Sequence, residues 1–167
     1  MSQKYVIVHF IDKSTVPEEF SPSEWPLHVT LLANFTLGQP LERLIDELAR
    51  YASGKQAYDI AADGEAQFGR SRSVAVSLIR PDEAIVAMHR DLKGITAALG
   101  AVYDEPAYMD DGYRPHATTQ AAARLTDKQV VTLDDFTLVD MYPGEDITRR
   151  RIIQTFRLGG NAHAADI

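Results

Sequence analysis

Hydrophobic and polar positions alternate along the chain in two periods, and the period changes at proline and glycine. Lys4 to Ile11 is an almost continuous apolar, β-branched run and predicts a buried strand. Thr15 to Pro26 holds three prolines and three glutamates and predicts a loop. A second strand starts at His28 and runs to about Phe35. After Gly38-Gln39-Pro40, residues Leu41, Leu44, Ile45 and Leu48 recur at i, i+3, i+4 and i+7, predicting an amphipathic helix that stops near Gly54.

Ala57 to Gly69 alternates but contains Asp63-Gly64, which predicts strand pieces broken by a turn or bulge. Ser73 to Ile79 is another strand. From Pro81, the spacing of Ile85, Met88, Leu92, Ile95 and Leu99 predicts a helix ending at Gly100. Ala101 to Gly112 is acidic and irregular and leads into a strand carrying His116. Thr126-Asp127-Lys128 is expected to start a short helix, and Phe136 to Met141 and Arg151 to Leu158 to form two strands joined through Pro143-Gly144. This order predicts an α+β fold rather than regular βαβ alternation. The whole is expected to be a single domain over residues 1–160 with a flexible tail at 161–167.

Two of these strands open on the same pattern. Trp25-Pro26-Leu27-His28-Val29-Thr30 and Tyr113-Arg114-Pro115-His116-Ala117-Thr118 each place His-x-Thr after an aromatic residue and a proline. In a strand, residues i and i+2 share a face, so His28 lies beside Thr30 and His116 beside Thr118. Two imidazoles titrating near neutrality supply an acid and a base, and two hydroxyls supply neutral donors to a phosphoryl group. The pair of motifs suggests a bilobal domain in which they face across a cleft. Which histidine is acid and which is base is not legible at this level.

The bulk properties narrow the partners. The 167 residues carry a net charge of −7, with 45% hydrophobic and 25% charged residues, as in ordinary globular proteins. Cysteine is absent, which excludes disulfides and thiol nucleophiles. The acidic balance favours a small nucleotide or a short RNA end over a long duplex. The N-terminal apolar run is too short and interrupted to read as a signal peptide, and no apolar run has the length of a membrane span, so a cytoplasmic location without membrane association is expected. A monomer is expected.

The residues also resemble a known family, the two-histidine phosphoesterase superfamily, and within it the 2′-5′ RNA ligase-like and RNA 2′,3′-cyclic phosphodiesterase proteins. The resemblance spans nearly the whole chain: Tyr5 to Ile11, Leu27 to Leu31, Phe68-Gly69 with Arg72 to Leu78, Arg114 to Thr118, and Phe136 to Leu158. It implies a bilobal fold with two antiparallel-rich sheets flanking a central cleft and helices outside. It also implies metal-independent, cofactor-free hydrolysis of 2′,3′-cyclic phosphates or related 2′-linked esters, with His28 and His116 catalytic and Thr30 and Thr118 on the phosphate. The short, proline-rich Asp12 to Pro26 connection departs from the helix typical there, which bears on the substrate more than on the chemistry.

Other candidates are weaker. Arg70, Arg72 and Arg114 are suited to phosphate, and Tyr113 and Tyr142 to stacking on a base, although surface arginines and core tyrosines are commoner. His9 reads as structural, and His89 and His163 receive no role. Asp110-Asp111 reads as a solvated acidic loop. A non-catalytic module binding nucleotides or RNA ends through the same pocket is the main alternative. A metal site from His28, His116 and His9 ranks last, because no close-spaced ligand motif accompanies them.

Overall fold

The computed structural model describes residues 3–69, 71–120 and 123–159. Its strands are β1 (Tyr5–Phe10), β2 (Glu19–Phe20), β3 (His28–Thr36), β4 (Tyr58–Phe68), β5 (Val74–Ile79), β6 (Val102–Tyr103), β7 (His116–Thr118), β8 (Val130–Leu133), β9 (Asp135–Asp140) and β10 (Arg150–Arg157). Two helices, α1 (Leu41–Ser53) and α2 (Glu83–Ala98), complete the mixed α+β architecture. Neither is long and apolar enough to cross a membrane.

Among the described residues every pairing is antiparallel, in the order β2-β10-β9-β1-β3-β7-β5-β4-β8, with β6 added to β3. The two expected half-sheets therefore meet edge to edge, at β3 and β7. That junction is narrow, consisting among the described residues of the single pair Val29–Ala117. By contrast β7 pairs with β5 at three positions, and β1 pairs with β3 at five.

β1 is buried throughout, and apolar apart from His9, because both of its faces are covered. One face carries Ile7 into the main core, where α1 contributes Leu44, Leu48 and Ala52 and α2 contributes Ile85, Met88 and Leu92. The other carries Val6, Val8 and Phe10 into a smaller cluster with Phe20, Val139 and Met141. Burying these side chains contributes roughly 1.5–3 kcal/mol each, so this six-residue run anchors the first half-sheet.

The helices fall where the periodicity places them, with α1 starting after Pro40 and capped by Gly54. β4 is one strand rather than separate pieces. Its irregularity at Asp63-Gly64 is a bulge, with Gly64 at φ 93°, a conformation that favours glycine. The bulge lets residues 58–61 pair with β8 while residues 62–68 pair with β5. The short helix expected at Thr126-Asp127-Lys128 does not form. A turn with Lys128 at φ 69° stands there, Gln129 N–H returns to the Thr126 carbonyl, and β8 follows at once. Asp127 is spent on this turn, accepting the Gly64 N–H at 2.8 Å. The tail at 161–167, with His163, lies outside the described residues.

Candidate active site

The narrow junction between the half-sheets is also where the two motifs meet. Val29 and Ala117, the middle residues of the motifs, are paired and point into the core with 0% and 1% exposure. Their neighbours point the other way and are half-buried. Antiparallel register then sets His28 beside Thr118 and Thr30 beside His116, with about 5 Å between facing Cβ atoms. Two imidazoles and two hydroxyls thus alternate around one small patch of sheet surface.

Each imidazole is oriented in the same way. His28 Nδ1–H donates to the Pro26 carbonyl at 2.8 Å, and His116 Nδ1–H donates to the Arg114 carbonyl at 2.8 Å. Both acceptors lie two residues upstream, at the bend where the chain enters the strand. With Nδ1 occupied by its proton, the neutral ring keeps its lone pair on Nε2, the atom available for proton exchange.

The surroundings of the two rings differ. Trp25 lies against His28 with ring centroids 4.5 Å apart, and Phe10, directly opposite His28 on β1, meets it edge-on at 6.0 Å. Phe20 closes the group against Trp25 at 4.8 Å. This aromatic box penalises the charged form, and the nearby His116 adds repulsion, so the His28 pKa is lowered to about 4. His116 touches Phe68 edge-on at 4.7 Å, and the Arg114 guanidinium lies 5.0 Å over the same Phe68 ring. Burial lowers the His116 pKa as well, opposed by the Arg114 carbonyl and reinforced by the Arg114 charge.

The remaining sequence candidates separate cleanly. Arg114 stands next to His116 with its guanidinium exposed. Arg72 is exposed at the β4–β5 hairpin with φ 54°, beyond Phe68, and Arg70 lies outside the described residues. Tyr142 is half-buried against the Phe10–Phe20 cluster, with Lys4 Nζ 5.5 Å from its ring centroid. Tyr113 is turned toward the core: one face of its ring stacks on His89 at 4.0 Å and its hydroxyl donates to the Thr30 carbonyl. Asp110 and Asp111 pair with Lys93 and Arg90.

His9 does not join the patch. It is paired with Val29 and so shares the opposite face, where its Nδ1 meets the Asp135 carboxylate at 3.0 Å. His9, Asp134 and Asp135 do cluster closely enough to hold a metal ion. The Lys13 ammonium already stands 2.9 Å from Asp134 and 3.6 Å from Asp135, which supplies the cation those carboxylates require.

Sequence reasoning missed Phe10, Trp25 and Phe68 as the walls of the site. For two of them a signal existed. Trp25 stands three residues before His28, and Phe68 ends an alternating strand at the hairpin leading to β5.

A single antiparallel sheet with helices on one face and a duplicated His-x-Thr pair on the other defines the class of two-histidine phosphoesterases. The family comparison agrees: residues 10–137 match the model of the 2′-5′ RNA ligase superfamily, and the chain belongs to that superfamily. Among solved structures it is similar to Escherichia coli LigT complexed with 3′-AMP, at 18% identity and a TM-score of 0.58, covering 95% of this chain and 99% of LigT. It is also similar to a phosphoesterase (17% identity, TM-score 0.59, 95% and 99% coverage) and to TT0787 of Thermus thermophilus (15%, 0.57, 93% and 98%). No curated protein matches the chain by sequence.

Proposed function

We propose that this protein is a phosphodiesterase that opens 2′,3′-cyclic phosphates, or closely related 2′-linked esters, at the end of a nucleotide or short RNA. The observation that carries this reading is the Val29–Ala117 pair, because it brings two Nε2 atoms and two threonine hydroxyls onto one face. The Nδ1 bonds to Pro26 and Arg114 support it further, since they leave both Nε2 atoms free for chemistry.

In the proposed reaction, water attacks phosphorus as the bond to one ribose oxygen breaks. His28, more strongly desolvated and therefore neutral, accepts the proton from water on Nε2. His116, as imidazolium, gives its Nε2 proton to the departing ribose oxygen. The hydroxyls of Thr30 and Thr118 donate to the non-bridging oxygens and hold the phosphate between the rings. Arg114, aligned by Phe68, is placed to offset the phosphate charge beside His116. No step requires a metal or an organic cofactor.

A small ester fits the net charge of −7 better than a long duplex does. The related LigT has been crystallised with 3′-AMP, NADP+, ATP and phosphate, which are ligands of that size and chemistry. The test is incubation with 2′,3′-cyclic nucleoside monophosphates and with a short RNA ending in that group, in the presence of EDTA. The expected result is a phosphomonoester product at undiminished rate. Saturable binding without product, across pH 5 to 8, would instead make the protein a binding module.

A further inference from the structure

β3 has two partners along its far edge, and they leave a gap. β7 pairs with it at Val29 alone, and the chain around β6 resumes only at Asn34, whose carbonyl accepts the Asp104 N–H, and at Phe35. The first residues after Val29 are Thr30 and Leu31, and Leu31 is the extra residue of a bulge, because Val8 faces Thr30 while Ile7 faces Leu32. Two side chains satisfy the backbone here. The Tyr113 hydroxyl donates to the Thr30 carbonyl at 2.8 Å, and His89 Nδ1–H donates to the Leu31 carbonyl at 2.8 Å. The two rings lie parallel, 4.0 Å apart with 2° between their planes.

The pair ties together three parts of the site. His89 comes from α2, Tyr113 lies three residues before His116, and both acceptors belong to the His28–Thr30 strand. The second nitrogen of His89 is occupied too, accepting the Asp110 N–H at 3.0 Å. That bond fixes the short 3₁₀ turn Asp110–Gly112, which delivers Tyr113. Gly112 is confined there, since a Cβ would lie 2.0 Å from the Ala107 carbonyl oxygen. Trp25, at the matching place in the first motif, lies tilted against its own histidine instead. The two halves therefore use the same aromatic position for different ends.

We propose that His89 and Tyr113 are positioning residues of the active site: their stacked rings hold the second His-x-Thr strand in register with the first, where the sheet supplies one residue pair. This rests on the phosphodiesterase reading for its kinetic readout but not for its structural one. Proton transfer at both ends of one phosphate requires both Nε2 atoms at fixed spacing, and misplacement by about 1 Å costs up to roughly 10²-fold in rate.

The test compares wild type with Tyr113→Phe, which keeps the stack and removes only the bond to Thr30. Hydrolysis of a 2′,3′-cyclic nucleotide is followed alongside the imidazole ¹⁵N resonances of His28 and His116. The expected result is about a tenfold lower kcat with KM within about twofold, and both histidine resonances displaced. His89→Asn, which preserves a donor at the Nδ1 position, is expected to retain more kcat than His89→Leu. A lowered melting temperature with kcat and both resonances unchanged would overturn the proposal. If wild type turns over no cyclic phosphate, the functional reading falls, and the resonances still decide: displaced in Tyr113→Phe they support positioning, unmoved they refute it.

Discussion

Val29 faces Ala117 across the only ladder position that joins the two half-sheets within the described residues. Their side chains are small enough to close the core beneath the site, and both are essentially inaccessible. Because the pair is antiparallel, each histidine is given the other motif's threonine as its cross-strand neighbour.

Enlarging this contact is expected to damage the site from below. Ala117→Leu adds three carbons to a packed interior, which costs typically 1–3 kcal/mol. Chemical denaturation should show that loss, and kcat should fall with it as β7 is pushed off β3. Unchanged kinetics in a destabilised variant would mean that the register tolerates the displacement.

The two depressed histidine pKa values set the expected pH profile. In the proposed mechanism the active free enzyme carries His28 neutral and His116 protonated. kcat/KM should therefore rise through about pH 4 as His28 loses its proton. It should fall again below the ordinary histidine value of about 6.5, as His116 loses its own. Initial rates across pH 3.5 to 8 check this, and an optimum above pH 7 would reverse or remove the assigned roles.

Stability should respond to the same groups. His28, His89 and His116 all have folded-state pKa values below the unfolded value, so the unfolded chain binds more protons on acidification. Stability is full above about pH 6.5 and declines as pH falls toward the folded values, with His28 alone contributing roughly 3 kcal/mol by pH 4. For His89 the causes act in both directions: burial opposes the proton, joined by Lys93 and Arg90, while the Leu31 carbonyl and Asp110 favour it. Urea unfolding at pH 7.5 and 5 should show the decline, and His28→Ala should flatten it.

The threonine hydroxyls are expected to matter for the transition state more than for folding. Thr118→Val preserves volume and removes the donor beside His28, so kcat should drop about 10²-fold with little change in melting temperature. Thr30→Val should behave alike. Losses below threefold in both would remove the hydroxyls from the mechanism.

Much of this was legible in residues whose local pattern and tertiary role agree. The Leu41–Leu48 stripe and the β-branched run of β1 each encode their own burial, and His-x-Thr at a strand start fixes which side chains share a face. Other features depend on what arrives from elsewhere in the chain. Val130 to Leu133 is too short and polar-flanked to announce a strand, and forms one because Tyr58 to Ala61 supplies a ladder. Thr126-Asp127-Lys128 carries a helix-start signal, yet Asp127 is drawn to Gly64. His89 and Tyr113 sit 24 positions apart with no shared motif, and only the gap beside β3 gives them a common role. The candidate site was visible because its chemistry is repeated; of its walls, Phe10 resembles any core aromatic residue, while Trp25 and Phe68 are marked only by their positions, three residues before His28 and at the end of an alternating strand.

The most direct test of the paired-histidine account is single-turnover hydrolysis of a 2′,3′-cyclic nucleotide by wild type, His28→Ala, His116→Ala and the double variant. Each single variant is predicted to lose about 10³-fold or more in rate, and the double variant little beyond that, since acid and base act on one transition state. A single variant retaining more than about a tenth of the wild-type rate, with its fold intact, would contradict the account.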